Sequence, residues 1–221
     1  MRYETLVFDC DGVVLNSNAV KTAAFRTAVL ACGCNAEAAD ALAAYHVAHG
    51  GVSRFAKFDH FCTEIMPRHA PGSPIPTQDD LLASYAEAVE VGLLDCAIAP
   101  GLPDLRSATR QARWMIVSGG AQSELRYLFH RRGIDRYFDG GIFGSPDTKH
   151  EILTRELASG ALRQPALFLG DSRYDHVAAQ AAGLDFIFVS GWSEFADWQA
   201  YAAHEGFPAV EALAEVADLV T

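Results

Sequence analysis

The stretch Thr5-Leu6-Val7-Phe8-Asp9-Cys10-Asp11-Gly12 decides how the chain is read. A β-branched threonine and three apolar residues run without alternation into a segment of two acids, a cysteine and a glycine. Unbroken apolarity over so short a length is the pattern of a strand covered on both faces, as in a parallel sheet. The same pattern recurs at Trp114-Met115-Ile116-Val117, Ala166-Leu167-Phe168-Leu169 and Phe186-Ile187-Phe188-Val189, each run ending in polar residues or glycine. Helix-type spacing fills 102–113, 123–132, 150–157 and 175–182. Strands alternating with helices predict an α/β fold, a doubly wound parallel sheet of Rossmann-like type with right-handed crossovers.

One segment interrupts this rhythm. Between the first run and Asp95 there is no convincing strand, only helical spacing over 20–31, 36–49, 52–65 and 79–91, with a proline-rich stretch at 67–76. Ser17 or Asn18 can cap the first of these helices and Ser53 the third. The expected organisation is an α/β core built from 1–16 and 96–221, with an all-helical cap domain inserted at 17–95.

Composition narrows the functional classes. The 221 residues are 50% hydrophobic and 20% charged, enough to bury a sizeable core. Net charge is −11, and protonating all 8 histidines still leaves −3, so nucleic acid and anionic membrane surfaces are not expected partners. No apolar run has the length of a membrane span or a signal peptide. The 5 cysteines (10, 32, 34, 62 and 96) are scattered and odd in number, which points to reduced thiols in a cytoplasmic protein. A zinc site from Cys32, Cys34 and a histidine is the weaker alternative.

In an open α/β sheet, ligands bind beyond the carboxyl ends of the strands. There the first run presents Asp9 and Asp11 on one side of the chain, with Cys10 turned toward the core. The second run ends in Ser118-Gly119-Gly120, a hydroxyl beside main-chain N–H groups suited to an anion. The third ends in Gly170-Asp171-Ser172-Arg173-Tyr174-Asp175. Lys149 stands at a helix start, where a cation is locally unfavourable and calls for another reason. Gathered in one cleft, the four carboxylates repel unless a cation sits among them, and hard oxygen donors fit Mg²⁺. Lys149 and Ser118 then face an anionic group of the substrate. These parts suit phosphoryl transfer, with Asp9 attacking phosphorus and Asp11 giving a proton to the leaving oxygen before activating water.

The ordered set Asp9-x-Asp11-Gly12, Ser118, Lys149 and Gly170-Asp171-x-x-x-Asp175 resembles the four motifs of the haloacid dehalogenase-like hydrolases. The helical insertion is similar to the cap of the subfamily containing phosphoglycolate phosphatases and beta-phosphoglucomutases. The resemblance implies Asp9 as nucleophile and metal ligand, and Asp11 as acid/base that lends its main-chain carbonyl to the metal. It implies Ser118, Gly119 and Lys149 as phosphoryl-binding groups and Asp171 as a metal ligand. Asp175 is a ligand through water or an orienter of Lys149. Two positions depart from the pattern: Val13 stands where a threonine is common, and Asn16-Ser17 where an Asp-Ser pair is common.

The run Gly51-Val52-Ser53-Arg54 is similar to the specificity loop of the mutases. It gives Arg54 a choice between a second anionic group on the substrate and solvent, and leaves Lys57 as a solvated lysine. His130, His150 and His176 read as helix-surface residues, and Trp192, Phe195 and Trp198 as packing for a C-terminal helix. The resemblance implies Mg²⁺-dependent hydrolysis of a small phosphorylated metabolite, of phosphosugar or phosphoglycolate type, through an aspartyl-phosphate. The alternatives are a phosphosugar mutase and a receiver-like signalling module, which the insertion disfavours. Oligomeric state is not fixed by the sequence.

Overall fold

The computed structural model describes residues 2–220. Its centre is a six-stranded parallel sheet, ordered β3-β2-β1-β4-β5-β6. The strands are β1 (Thr5–Phe8), β2 (Arg113–Ala121), β3 (Gly141–Ser145), β4 (Ala166–Gly170), β5 (Asp185–Val189) and β6 (Ala209–Val210). Every residue of β1 is buried, because successive side chains enter different cores. Leu6 and Phe8 join Trp114 and Phe129 on one face. Val7 joins Met115 and Phe168 on the other.

Helices α1 (Asn18–Ala31), α2 (Ala36–Ala48), α3 (Arg54–His60), α4 (Met66–His69) and α5 (Gln78–Asp95) lie between β1 and β2, and no strand interrupts them. Asn35, Ser53 and Thr77 cap α2, α3 and α5 through their side chains. Ser17 precedes α1 without capping it; its hydroxyl is used elsewhere. These helices share an aromatic centre, in which Phe25 lies 4.6 Å from Tyr85 and 5.1 Å from Phe58 between ring centroids. A π-helical turn, Phe61–Ile65, continues α3, so the continuous helix expected over 52–65 is divided. The departing and returning chains lie side by side, with Asn16 N–H donating to Ala97 O and Ala99 N–H to Val14 O, both at 2.9 Å.

The remaining helices are α6 (Leu102–Ala108), α7 (Gln122–Arg131), α8 (Lys149–Ser159), α9 (Arg173–Ala181), α10 (Trp198–Glu205) and α11 (Val216–Val220). Helix α6 is shorter than the 102–113 reading, because Arg113 already pairs with Thr5 as the first residue of β2. Trp198 stacks on Phe188 at 5.2 Å, so the C-terminal aromatic cluster packs α10 onto the sheet as expected. His176 departs from its surface reading, for it is 7% exposed and bonded to the Tyr201 hydroxyl.

The order of the sheet places the site. After β1 the chain moves outward through β2 and β3, then returns to lay β4 against the opposite edge of β1. The carboxyl ends of β1 and β4 therefore flank the point where winding reverses, where a crevice opens in folds of this kind.

Candidate active site

Asp9 follows β1 directly, and its N–H donates to Leu169 O of β4 at 2.9 Å. That pairing holds the residue in sheet geometry while Gly12 turns the chain away at φ +73°. A Cβ on Gly12 would lie 1.9 Å from Asp171 Oδ2, so the turn and the neighbouring carboxylate share one space. Lys149, the first residue of α8, sends its ammonium to Asp9 Oδ1 at 2.8 Å and also to Asp175. Asp175 belongs to a capping box at the start of α9, where its Oδ2 accepts from Ser172 N–H at 3.1 Å and Ser172 Oγ–H at 2.6 Å. Ser118 is fully buried near the end of β2, and its Oγ accepts from Gly120 N–H at 3.1 Å.

Asp9, Asp171 and Asp175 each bring a carboxylate oxygen to within 4.8 Å of the others, and no other such group of acid, histidine or cysteine side chains occurs among the described residues. Cys32 and Cys34 therefore do not form the zinc site weighed from sequence. The trio fits a cation on two counts. Its donors are hard oxygens, suited to Mg²⁺ or Ca²⁺. Asp9 Oδ1 is also buried, with the Lys149 ammonium at 2.8 Å as its one polar neighbour among the described residues.

The ionisation tendencies show the same crowding. Burial pushes Asp9 up to about 7, with Asp175 and Asp11 adding to the effect against the pull of Lys149. Burial, then Asp9 and Asp175, push Asp171 well above the usual carboxylate range. Burial acts against the charge of Lys149, yet Asp175 and Asp9 outweigh it and hold the ammonium charged.

Asp11 takes no part in the oxygen trio. Its carboxylate accepts from Lys21 Nζ and Ser17 Oγ, each at 2.6 Å, and both partners come from the start of the helical insertion. Burial would raise its pKa, but Lys21 and then Ser17 hold it below the ordinary value. Ser17 thus serves the acid rather than the helix, which explains the missing cap. Asp171 receives a second contact from the insertion, Asn18 Nδ2–H at 2.8 Å.

Above these groups lies a cavity of about 370 Å³, walled on the sheet side by Asp9, Gly119 and Asp171 and on the helical side by Phe25, His46, Lys57 and Tyr85. The Gly50-Gly51 loop closes against the sheet domain, and a Cβ on Gly119 would lie 2.2 Å from Gly51 O. Two sequence expectations change here. Arg54 lines the cavity rather than facing solvent, and its guanidinium forks onto both oxygens of Glu124 on α7 and covers the Tyr85 ring at 4.5 Å. Lys57 is not solvated either; it is 2% exposed and bonded to His46 Nδ1 at 2.7 Å. Lys21, His46, Lys57 and Glu124 gave no signal beyond helical spacing, since their inward direction depends on how the insertion seats on the sheet.

A parallel sheet with its acids at the winding reversal, under a helical insertion, defines a class of doubly wound α/β protein with its polar site at the carboxyl end of the sheet. A model of the haloacid dehalogenase-like hydrolase family matches residues 3–183, and the chain belongs to that family. Among solved structures it is similar to a predicted phosphoglycolate phosphatase from Haemophilus somnus, with TM-score 0.80, 14% identity, and 100% of this chain and 99% of that one covered. It is also similar to a predicted phosphatase from Clostridium acetobutylicum (TM-score 0.75, 16% identity, 100% and 99% covered). A third similar structure is CbbY from Rhodobacter sphaeroides in complex with phosphate (TM-score 0.71, 22% identity, 97% and 96% covered). These likenesses concern the fold. No curated protein matches the sequence significantly. Among the described residues no helix is long and apolar enough to cross a membrane.

Proposed function

We propose that the chain is a Mg²⁺-dependent phosphatase acting on a small phosphorylated metabolite by way of an aspartyl-phosphate on Asp9. The observation that carries this reading is Asp9 itself: a buried carboxylate at the winding reversal, held by Lys149 and brought within reach of Asp171 and Asp175. In the proposed organisation 1–16 and 96–221 form the catalytic core and 17–95 the cap. The likeness to a predicted phosphoglycolate phosphatase and a predicted phosphatase supports the reaction class. The 5 free thiols support a cytoplasmic setting.

Asp9 and Asp171 would hold the ion, with Asp175 in reach and the main-chain carbonyl of Asp11 as the family resemblance implies. When bound, Mg²⁺ offsets the negative charge of the carboxylates and the phosphoryl group. The chain's own residues account for the rest. Lys149, Ser118 and the N–H of Gly119 bind phosphoryl oxygens and orient phosphorus toward Asp9. The Asp9 carboxylate forms a bond to phosphorus as the ester P–O bond breaks, and Asp11 supplies the proton that lets the alcohol leave. In the second half, Asp11 removes a proton from water, which attacks phosphorus, frees phosphate and restores Asp9. The ionised state in which Lys21 and Ser17 hold Asp11 is the one needed for that second half. To serve as acid in the first, Asp11 must be relieved of Lys21, which rides on cap helix α1.

The phosphosugar mutase alternative draws on the likeness of Gly51-Val52-Ser53-Arg54 to the mutases' specificity loop, and the Arg54 guanidinium in that loop is paired with Glu124. Hydrolysis of p-nitrophenyl phosphate tests the proposal. Turnover is expected with Mg²⁺ and abolished by EDTA or by Asp9→Asn. An active Asp9→Asn protein, or turnover independent of metal, would overturn it.

A further inference from the structure

Lys57 is a buried group for which phosphoryl transfer gives no use. It lies one turn into α3, lines the same cavity as Asp9 and is 2% exposed. The other cations buried around this chamber have carboxylate partners: Lys21 has Asp11, Arg54 has Glu124, and Lys149 has Asp9 and Asp175. Lys57 has none among the described residues. Its single polar partner is His46 Nδ1 at 2.7 Å, and its other near neighbour is the face of Phe25, 5.6 Å away. An imidazole that accepts from an ammonium supplies a hydrogen bond and no counter-charge. Burying an amine this way is costly, and a methionine of similar length would fill the space without that cost.

From this geometry we propose that Lys57 selects the leaving group: it binds a carboxylate on the organic part of the ester, so the substrates are phosphate monoesters of acid-bearing alcohols. The inference rests on the phosphatase reading, which puts the phosphoryl group at Asp9 and hence the organic part beneath α2, α3 and α5. A carboxylate there supplies the counter-charge that Lys57, alone of the four cations buried around the chamber, lacks among the described residues. The groups facing Lys57 agree with this. Burial, then Lys21 on α1, lower its pKa to about 7, Lys149 on α8 acts in the same sense, and Asp11 and Glu194 only partly oppose them. His46 on α2 is itself lowered to about 3 by burial and by Lys57, so it stays neutral. The amine therefore sits near its midpoint at neutral pH and becomes fully charged when an anion arrives.

3-Phosphoglycerate and glycerol 3-phosphate provide the test, because they match in length and differ in the carboxylate. With the full chain and Mg²⁺, kcat/KM is expected to favour 3-phosphoglycerate by about 10- to 100-fold, the worth of one charge-assisted contact. That ratio should fall toward unity in Lys57→Met, remain above it in Lys57→Arg, and decline in the native protein as pH rises beyond about 7. If Lys57→Met does not fold, Lys57→Gln removes the charge while keeping a polar side chain. A native ratio near unity, or one that survives the loss of Lys57, would overturn the proposal. Binding of the same two esters to Asp9→Asn reads the preference without turnover. Failure to hydrolyse any ester would thus sink the phosphatase reading separately from the role of Lys57.

Discussion

At Gly12 two constraints meet. The backbone adopts φ +73°, and the space a Cβ would occupy holds Asp171 Oδ2 at 1.9 Å and Asn18 Nδ2 at 2.5 Å. Gly12→Ala should lose about 1–2 kcal/mol from backbone conformation alone, measured by urea denaturation. It should also lose phosphate release, because Asp171 has to move from its place beside Asp9. His46 carries a different kind of cost. Its pKa is lowered from the ordinary 6.5 to about 3, so the folded protein resists protonating it while the unfolded chain does not. The stability tied to its neutral form is fully present above pH 6.5 and is lost as pH falls from there toward 3. His46→Gln keeps an acceptor for Lys57 and removes this titration. Its melting temperature should therefore fall less steeply than that of the native protein between pH 6.5 and 4.

Helix α3 of the insertion and helix α7, which follows β2, are tied by the Arg54–Glu124 fork, with side-chain exposures of 7% and 23%. A two-point, charge-assisted contact this enclosed should show a coupling of about 1.5–3 kcal/mol in a double-mutant cycle of Arg54→Met and Glu124→Gln. A value near zero would mean that the two helices are held by packing alone. Elements also mark where the sequence could be read. The four apolar runs are β1, β2, β4 and β5, and their polar ends supply Asp9, Ser118 and Asp171. Strand β3 escaped because Gly141-Ile142-Phe143-Gly144-Ser145 has only two apolar side chains between its glycines, and β6 spans two residues. The cap's contributions to the site were hidden for a different reason. Lys21, His46 and Lys57 lie on helices whose spacing is satisfied by an aromatic core around Phe25, and nothing in that spacing says which polar residue faces the sheet. The local pattern around Ser53 located its cap, but Arg54 beside it found its partner 70 residues away, beyond the reach of any local pattern.

Over the whole molecule the net charge is −11, and three of its acids, Asp9, Asp171 and Asp175, gather at the end of the sheet. Fold and charge are opposed there: winding reversal forces the carboxyl ends of β1 and β4 together, and the residues placed at those ends repel. Lys149 offsets part of this, yet Asp9 and Asp171 still resist ionisation. A divalent cation that binds the folded chain and not the unfolded one should therefore stabilise the entire protein by mass action. At about 100 times its dissociation constant the gain is ~2.7 kcal/mol, which for a chain of this size corresponds to a rise of roughly 5–10 °C in melting temperature. Protons compete for the same oxygens. With Asp9 raised to about 7, the Mg²⁺-induced rise should be larger at pH 8 than at pH 5.5. Asp171→Asn should remove most of it while leaving the metal-free protein folded. Differential scanning fluorimetry with and without Mg²⁺ at the two pH values measures all three quantities. An equal rise in native and Asp171→Asn proteins would place the ion away from the sheet's carboxyl end.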